Sequence, residues 1–192
     1  MRTFIAVELP EGLKDEISRL TGRLKEHLPG VRWSRPSNIH LTLRFLGEID
    51  PGRLDKLSRA VEQAVSPLEP FEVEVAGIGS FGGRSRPRVI WLGLESSEQL
   101  AALAEAVERA VFESGFGRAD KPFKPHLTLA RVRKSLARVR KPLAGPPDWE
   151  SIRETARSDW PVWRVDGVKI IKSILTPDGP VYEPKAHCLL KG

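Results

Sequence analysis

Apolar residues along the chain change period repeatedly, and the changes mark strands and helices in alternation. Thr3 to Leu9 alternates and is rich in β-formers. Pro10 then opens a stretch in which Leu13, Ile17, Leu20 and Leu24 recur at helical spacing until Pro29-Gly30 stops it. Ile39 to Leu46 is a second alternating run, closed by Gly47. After Asp50-Pro51, which reads as a helix start, Leu54, Leu57, Ala60, Val61, Ala64 and Val65 line one helical face as far as Pro67. Phe71 to Ile78 and Arg88 to Leu94 predict two strands joined by a Gly- and Arg-rich connection. Ser97 to Ser114 predicts a helix with Leu100, Leu103, Ala104, Val107 and Val111 on one side.

The second half continues with a predicted strand from His126 to Val132. Lys134 to Trp160 is polar, contains prolines and is weakly periodic, so it reads as a connection with at most a short helix. Trp163 to Leu175 and Val181 to Leu189 predict a final strand pair, turning at Thr176-Pro177-Asp178-Gly179-Pro180. At least three helices and six or more strands place the chain in the α+β class. Its 192 residues suffice for one domain over residues 1–192 with its own core.

Composition narrows the function classes. With 40% hydrophobic and 29% charged residues the chain is expected to be globular rather than disordered. Uninterrupted apolar runs, such as Phe4 to Val7, are too short for a membrane span or a signal-peptide core, which leads us to expect a cytoplasmic protein. Cys188 is the single cysteine, so no internal disulfide can form and a cysteine-ligated metal is not expected. The net charge of +6 suits an anionic partner, but it suits equally an Arg-rich protein that binds no nucleic acid.

The chemistry comes from a repeat. His-Leu-Thr-Leu occurs at His40 to Leu43 and again at His126 to Leu129, 126 − 40 = 86 residues apart, and the whole chain has only four histidines. Each copy lies in a predicted strand and follows comparable strand and helix segments, which indicates a pseudo-twofold duplication. Residues two apart on a strand share a face, so His40 points with Thr42 and His126 with Thr128. The leucines turn to the opposite face, where helices could bury them. Cleaving a phosphodiester without a metal needs a base for the attacking water and an acid for the departing oxygen, and imidazole serves both near neutral pH. The threonine hydroxyls could donate to the non-bridging oxygens. Two histidines with no acidic residue in either tetrapeptide are too few ligands for a dedicated metal site. His27 and His187 have no such partner and read as structural.

These motifs resemble the two-histidine phosphoesterases, and specifically their RNA 2′,3′-cyclic phosphodiesterase branch, also called LigT-like or 2′-5′ RNA ligase. The likeness runs nearly end to end. It rests on Arg2-Thr3-Phe4-Ile5-Ala6-Val7-Glu8-Leu9-Pro10, on Asn38 to Glu48 around the first motif, on Pro87 to Gly93 and on Pro125 to Arg131. The resemblance implies a bilobal fold: pseudo-twofold duplicated antiparallel sheets with helices on the outer faces and a central active-site cleft holding one motif from each lobe. It further implies metal-independent conversion of a 2′,3′-cyclic phosphate at an RNA end to a 2′-phosphate. His40 would be the proton donor and His126 the acceptor, and 2′-5′ ligation is the possible reverse reaction. No cofactor is expected, and RNA ends such as tRNA fragments are the expected partners of a monomer.

By the same resemblance Arg131 would bind phosphate and Phe45 would touch a base or ribose, although simple alternation turns both to the wrong face unless a β-bulge re-aims them. Phe45 reads equally as a core aromatic. Trp33, Trp91 and Tyr182 are further candidates for stacking on bases, and the cationic segments Arg84 to Arg88 and Arg131 to Arg140 for an RNA path or a solvated surface. Two rival functions remain open on these residues: a phosphodiesterase acting on a small cyclic nucleotide, and an RNA-end-binding module without chemistry.

Overall fold

The computed structural model describes residues 1–29, 31–83, 85–95, 97–132 and 146–192. The described elements run β1 (Arg2–Glu8), α1 (Glu11–His27), β2 (Arg32–Trp33), β3 (His40–Glu48), α2 (Leu54–Val65), β4 (Phe71–Val73), β5 (Val75–Phe81), β6 (Val89–Leu94), α3 (Glu98–Val111), β7 (His126–Arg131), α4 (Trp149–Thr155), β8 (Trp163–Val165), β9 (Gly167–Thr176) and β10 (Gly179–Leu189). All strand pairings among the described residues are antiparallel.

Two half-sheets form the frame. One has the order β10-β9-β1-β3 and carries the first His-Leu-Thr-Leu copy; the other, β7-β6-β5 with β2 also paired to β7, carries the second. They meet where β3 and β7 pair at Leu41 and Leu127, the centres of the two motifs. Helices α2 and α3 pack on each other and cover β3 and β10, while α1 and α4 pack together, with α4 against β5. Helices α1, α2 and α3 turn in the faces that their apolar spacing foretold: Leu13, Ile17, Leu20 and Leu24 on α1, Leu57, Val61 and Val65 on α2, and Leu100, Leu103, Ala104, Val107 and Val111 on α3 are buried. Ser97 caps α3 by accepting from the Leu100 amide at 3.1 Å.

The structure breaks two expected strands. Phe71 to Ile78 divides at Glu74 into β4 and β5, and Trp163 to Leu175 divides at Asp166 into β8 and β9. β4 and β8 then pair as a separate two-stranded sheet. A strand can change sheets at a polar residue without losing its alternation, so the period alone does not reveal the switch. β2 is only two residues long and shows no period. Within the expected connection, α4 is the short helix, and residues 133–145 lie outside the described part of the chain.

The bulge question has a definite answer in the register. β1 pairs Ile5 with Arg44 and then Ala6 with Thr42, leaving Leu43 as an extra residue. β6 pairs Ile90 with Ala130 and then Trp91 with Thr128, leaving Leu129 extra. Both motif strands therefore carry a bulge at the same place, immediately after the threonine. Leu43 and Arg44 are consecutive buried residues, as are Leu129 and Ala130, and the phase shift returns Phe45 and Arg131 to the faces of their histidines. The buried Arg44 guanidinium is matched by the Glu108 carboxylate, with Nε 3.0 Å from Oε2, and by the Gly117 carbonyl, which accepts from Nη2 at 3.0 Å.

Candidate active site

The antiparallel pairing of Leu41 with Leu127 sets the positions of the four polar motif residues. Around that pair His40 faces Thr128 and Thr42 faces His126, so the two histidines are diagonal neighbours. Such neighbours in a regular ladder lie roughly 7–8 Å apart, within reach of one tetrahedral anion. Beneath them Leu41 and Leu127 are both fully buried.

Each imidazole is held in the same way. His40 Nδ1 lies 2.9 Å from the Asn38 carbonyl oxygen, and His126 Nδ1 lies 2.7 Å from that of Lys124. A carbonyl can only accept, so Nδ1 must donate in both rings, which leaves each Nε2 with a lone pair when the ring is neutral. One fixed tautomer of this kind can take a proton, and the charged form can return it.

The surroundings of the two rings differ in depth. Phe4, Ala6, Ile171 and Tyr182 form a small apolar cluster on the motif face of β1, β9 and β10. His40 stacks on Phe4 with centroids 4.6 Å apart and meets the Tyr182 ring edge to face at 5.2 Å. Burial in this corner pushes the His40 imidazole from its ordinary 6.5 down to about 4. The Asn38 bond and the Glu8 charge oppose that shift, whereas Arg131 and His126 add to it. His126, against the edge of Phe81 at 4.9 Å, is likewise held below its ordinary value, first by burial and then by Arg131.

A cavity of about 480 Å³ opens over this surface, walled by His40, Thr42, Thr128, Arg131, Trp33 and Tyr182 and by the turn between β9 and β10. That turn is tied across the mouth: Asn38 Nδ2 donates to the Pro180 carbonyl at 2.8 Å and Arg35 Nη2 to that of Asp178 at 3.1 Å. Of the residues singled out from sequence, His40, Thr42, Thr128 and Arg131 wall this cavity. His126 stands beside it, diagonal to His40. Phe45 is 48% exposed, lies under the Arg2 guanidinium at 5.1 Å and does not wall the cavity. Trp33 and Tyr182 face the cavity, but Trp91 does not. Its indole covers Gly79, where an added Cβ would come within 2.4 Å of the ring, and it leans on Phe81. Sequence reading missed Phe4, Phe81, Asn38 and Lys124, because stacking partners and backbone acceptors leave no mark in a local motif. Among the described residues no group of three or more His, Cys, Asp or Glu side chains converges as a metal site. Cys188 is buried and its thiol is pushed up to about 11 by that burial.

The duplication is also visible from outside the chain. The model of the family described as LigT like Phosphoesterase matches twice, over residues 7–91 and 92–182, with one histidine motif in each copy. The chain belongs to the LigT-like phosphoesterases. A relative from Methanothermobacter thermautotrophicus named RNA 2′,3′-cyclic phosphodiesterase is 36% identical over 182 residues, covering 95% of each chain. One of the same name from Thermotoga maritima is 34% identical and covers 100% of this chain and 97% of its own. The crystal structure of TT0787 from Thermus thermophilus superposes with a TM-score of 0.79 at 31% identity, over 100% of this chain and 99% of that one. E. coli LigT complexed with 3′-AMP follows with a TM-score of 0.76 at 26% identity, over 100% and 98% of the two chains. The LigT-like fold thus carries the α+β duplication expected from the repeated tetrapeptide.

Proposed function

We propose that this protein hydrolyses 2′,3′-cyclic phosphates at RNA ends, yielding a 2′-phosphate, with His40 and His126 as the acid and base. The reading is carried by one observation: two imidazoles with the same fixed tautomer lie diagonally across a single strand pair, beside a cavity lined by Thr42, Thr128 and Arg131. Its support from relatives is the shared name, RNA 2′,3′-cyclic phosphodiesterase.

Neutral His126 Nε2 takes a proton from water as the oxygen attacks phosphorus, the bond from phosphorus to O3′ breaks, and protonated His40 delivers its Nε2 proton to O3′. Thr42 and Thr128 donate to the non-bridging oxygens, where negative charge accumulates, and Arg131 neutralises the phosphate. His40 is neutral in the free site because it is buried, so its proton is taken up with the anionic substrate, whose charge favours the imidazolium. Each histidine ends in the other's starting state, and exchange with solvent resets them. No metal or cofactor enters these steps. The same displacement with an RNA 5′-hydroxyl in place of water would form the bond from phosphorus to O5′ as that to O3′ breaks, and so join a 2′-5′ linkage. Phe45, beyond the cavity wall, would contact a base or ribose.

No described helix is long and apolar enough to cross a membrane, and we place the enzyme, as a monomer acting on RNA fragments, in the cytoplasm. The test is mass analysis of the product from a defined oligonucleotide ending in a 2′,3′-cyclic phosphate, followed by chromatography against synthetic oligonucleotides ending in a 2′- or a 3′-phosphate. The reading expects a gain of one water and co-elution with the 2′-phosphate standard; an unchanged oligonucleotide, or a product that elutes with the 3′-phosphate, would refute it.

A further inference from the structure

One register pair in the cavity is electrostatically unfavourable as it stands. β2 aligns Arg32 directly opposite Arg131, and side chains directly opposite in an antiparallel pair share a face, where like charges destabilise. Both arginines are exposed and both wall the cavity. Among the described residues neither forms an ion pair, and Asp178 is the one acidic residue in that wall. Asp178 meets Arg35 through its backbone carbonyl, not its carboxylate. Arg131 already acts on the histidine pair, since its charge bears on both imidazoles. Arg32 lies one strand further out, toward the β9–β10 turn: a Cβ built on Gly179 would sit 3.5 Å from its Nη2.

We infer that Arg32 forms a second phosphate subsite, which takes the phosphodiester on the 5′ side of the terminal nucleotide while the histidines hold the cyclic phosphate. An anion there relieves the repulsion between the two guanidiniums and is gripped by a planar, fixed-charge donor suited to phosphate oxygens. The inference rests on the reading of the site as one for RNA ends, and gives it a basis for preferring RNA over a lone cyclic nucleotide.

Three substrates separate the possibilities: a nucleoside 2′,3′-cyclic phosphate, the same compound with a 5′-phosphate, and a dinucleotide ending in the cyclic phosphate. The wild type should turn over the second and third with kcat/KM about tenfold above the first, as one charge-assisted contact provides. Arg32→Ala should bring that ratio toward one, and Arg32→Lys should restore part of it. The slope of log kcat/KM against log salt for the phosphorylated substrates should flatten by about 0.7 in Arg32→Ala. An unchanged ratio, or an equal loss on all three substrates, would overturn the subsite. A gain confined to the dinucleotide would also overturn it, since the extra nucleoside and not the phosphate would then be recognised. If the wild type turned over none of them, the functional reading would fail. The subsite would still be decided by calorimetry, as a loss in Arg32→Ala of preference for a nucleoside 2′,5′-bisphosphate over the 2′-phosphate.

Discussion

Leu41 and Leu127 pair directly across the seam between the half-sheets, each fully buried, and this pairing brings two histidines 86 residues apart in sequence onto one diagonal. The apolar side of each motif thus locates the polar side, and stability and chemistry share a hinge of two leucines.

Truncating that hinge is expected to be costly. Leu127→Ala removes a side chain with no exposure and leaves a cavity against Leu41, so unfolding free energy should fall by about 2–5 kcal/mol. Chemical denaturation measures it, and a loss below about 1 kcal/mol would mean that the seam does not bear on stability.

The depressed pKa of His40 carries a sign that can be checked. In the unfolded chain the ring protonates near 6.5, but in the fold only near 4, so between these values the unfolded state holds more protons. Stability should therefore fall as pH drops from about 6.5 toward 4, and be fully present above that window. Denaturation across the range, with His40→Gln as control, should show a shallower pH slope in the variant. NMR titration of the free protein should find the His40 ring still neutral at about pH 6. Titration at the ordinary imidazole value would contradict the burial argument.

The same shifts shape the rate profile. Because both rings are held low in the free protein, the pH profile of kcat/KM, which reports the free enzyme, should peak on the acid side of 6.5. The profile of kcat should peak at higher pH, because bound phosphate stabilises the imidazolium. Coincident profiles would show that substrate charge does not supply the proton.

The threonines separate transition-state contacts from folding. Thr42→Val and Thr128→Val keep the β-branched shape and remove one hydroxyl donor. Each should lower kcat roughly 10- to 100-fold while leaving the melting temperature within a few degrees. A loss carried entirely by KM would move their role from the transition state to ground-state binding.

Much of this arrangement could be read in the sequence, and the failures share a cause. The alternation in His-Leu-Thr-Leu correctly separated a polar from a buried face, and the leucine spacings of α1, α2 and α3 located their covered sides. Alternation failed beyond Leu43 and Leu129, at Arg44 and Phe45 and at Ala130 and Arg131, because a bulge adds a residue without changing residue type. It failed again at Glu74 and Asp166, where a strand passes from one sheet to another. The aromatic corner around His40 is assembled from Phe4 and Tyr182, nearly the full length of the chain apart, so no local window contains it. The carbonyls of Asn38 and Lys124 that fix the imidazoles belong to the backbone, and side-chain identity does not encode them.

The most direct measurement of the central claim is single-turnover cleavage of a cyclic-phosphate RNA end in excess EDTA, by the wild type, His40→Ala and His126→Ala. The account predicts full activity for the wild type without divalent metal and a loss of at least about 100-fold in each variant with its fold intact. Activity abolished by EDTA, or retained by either alanine variant, would contradict it.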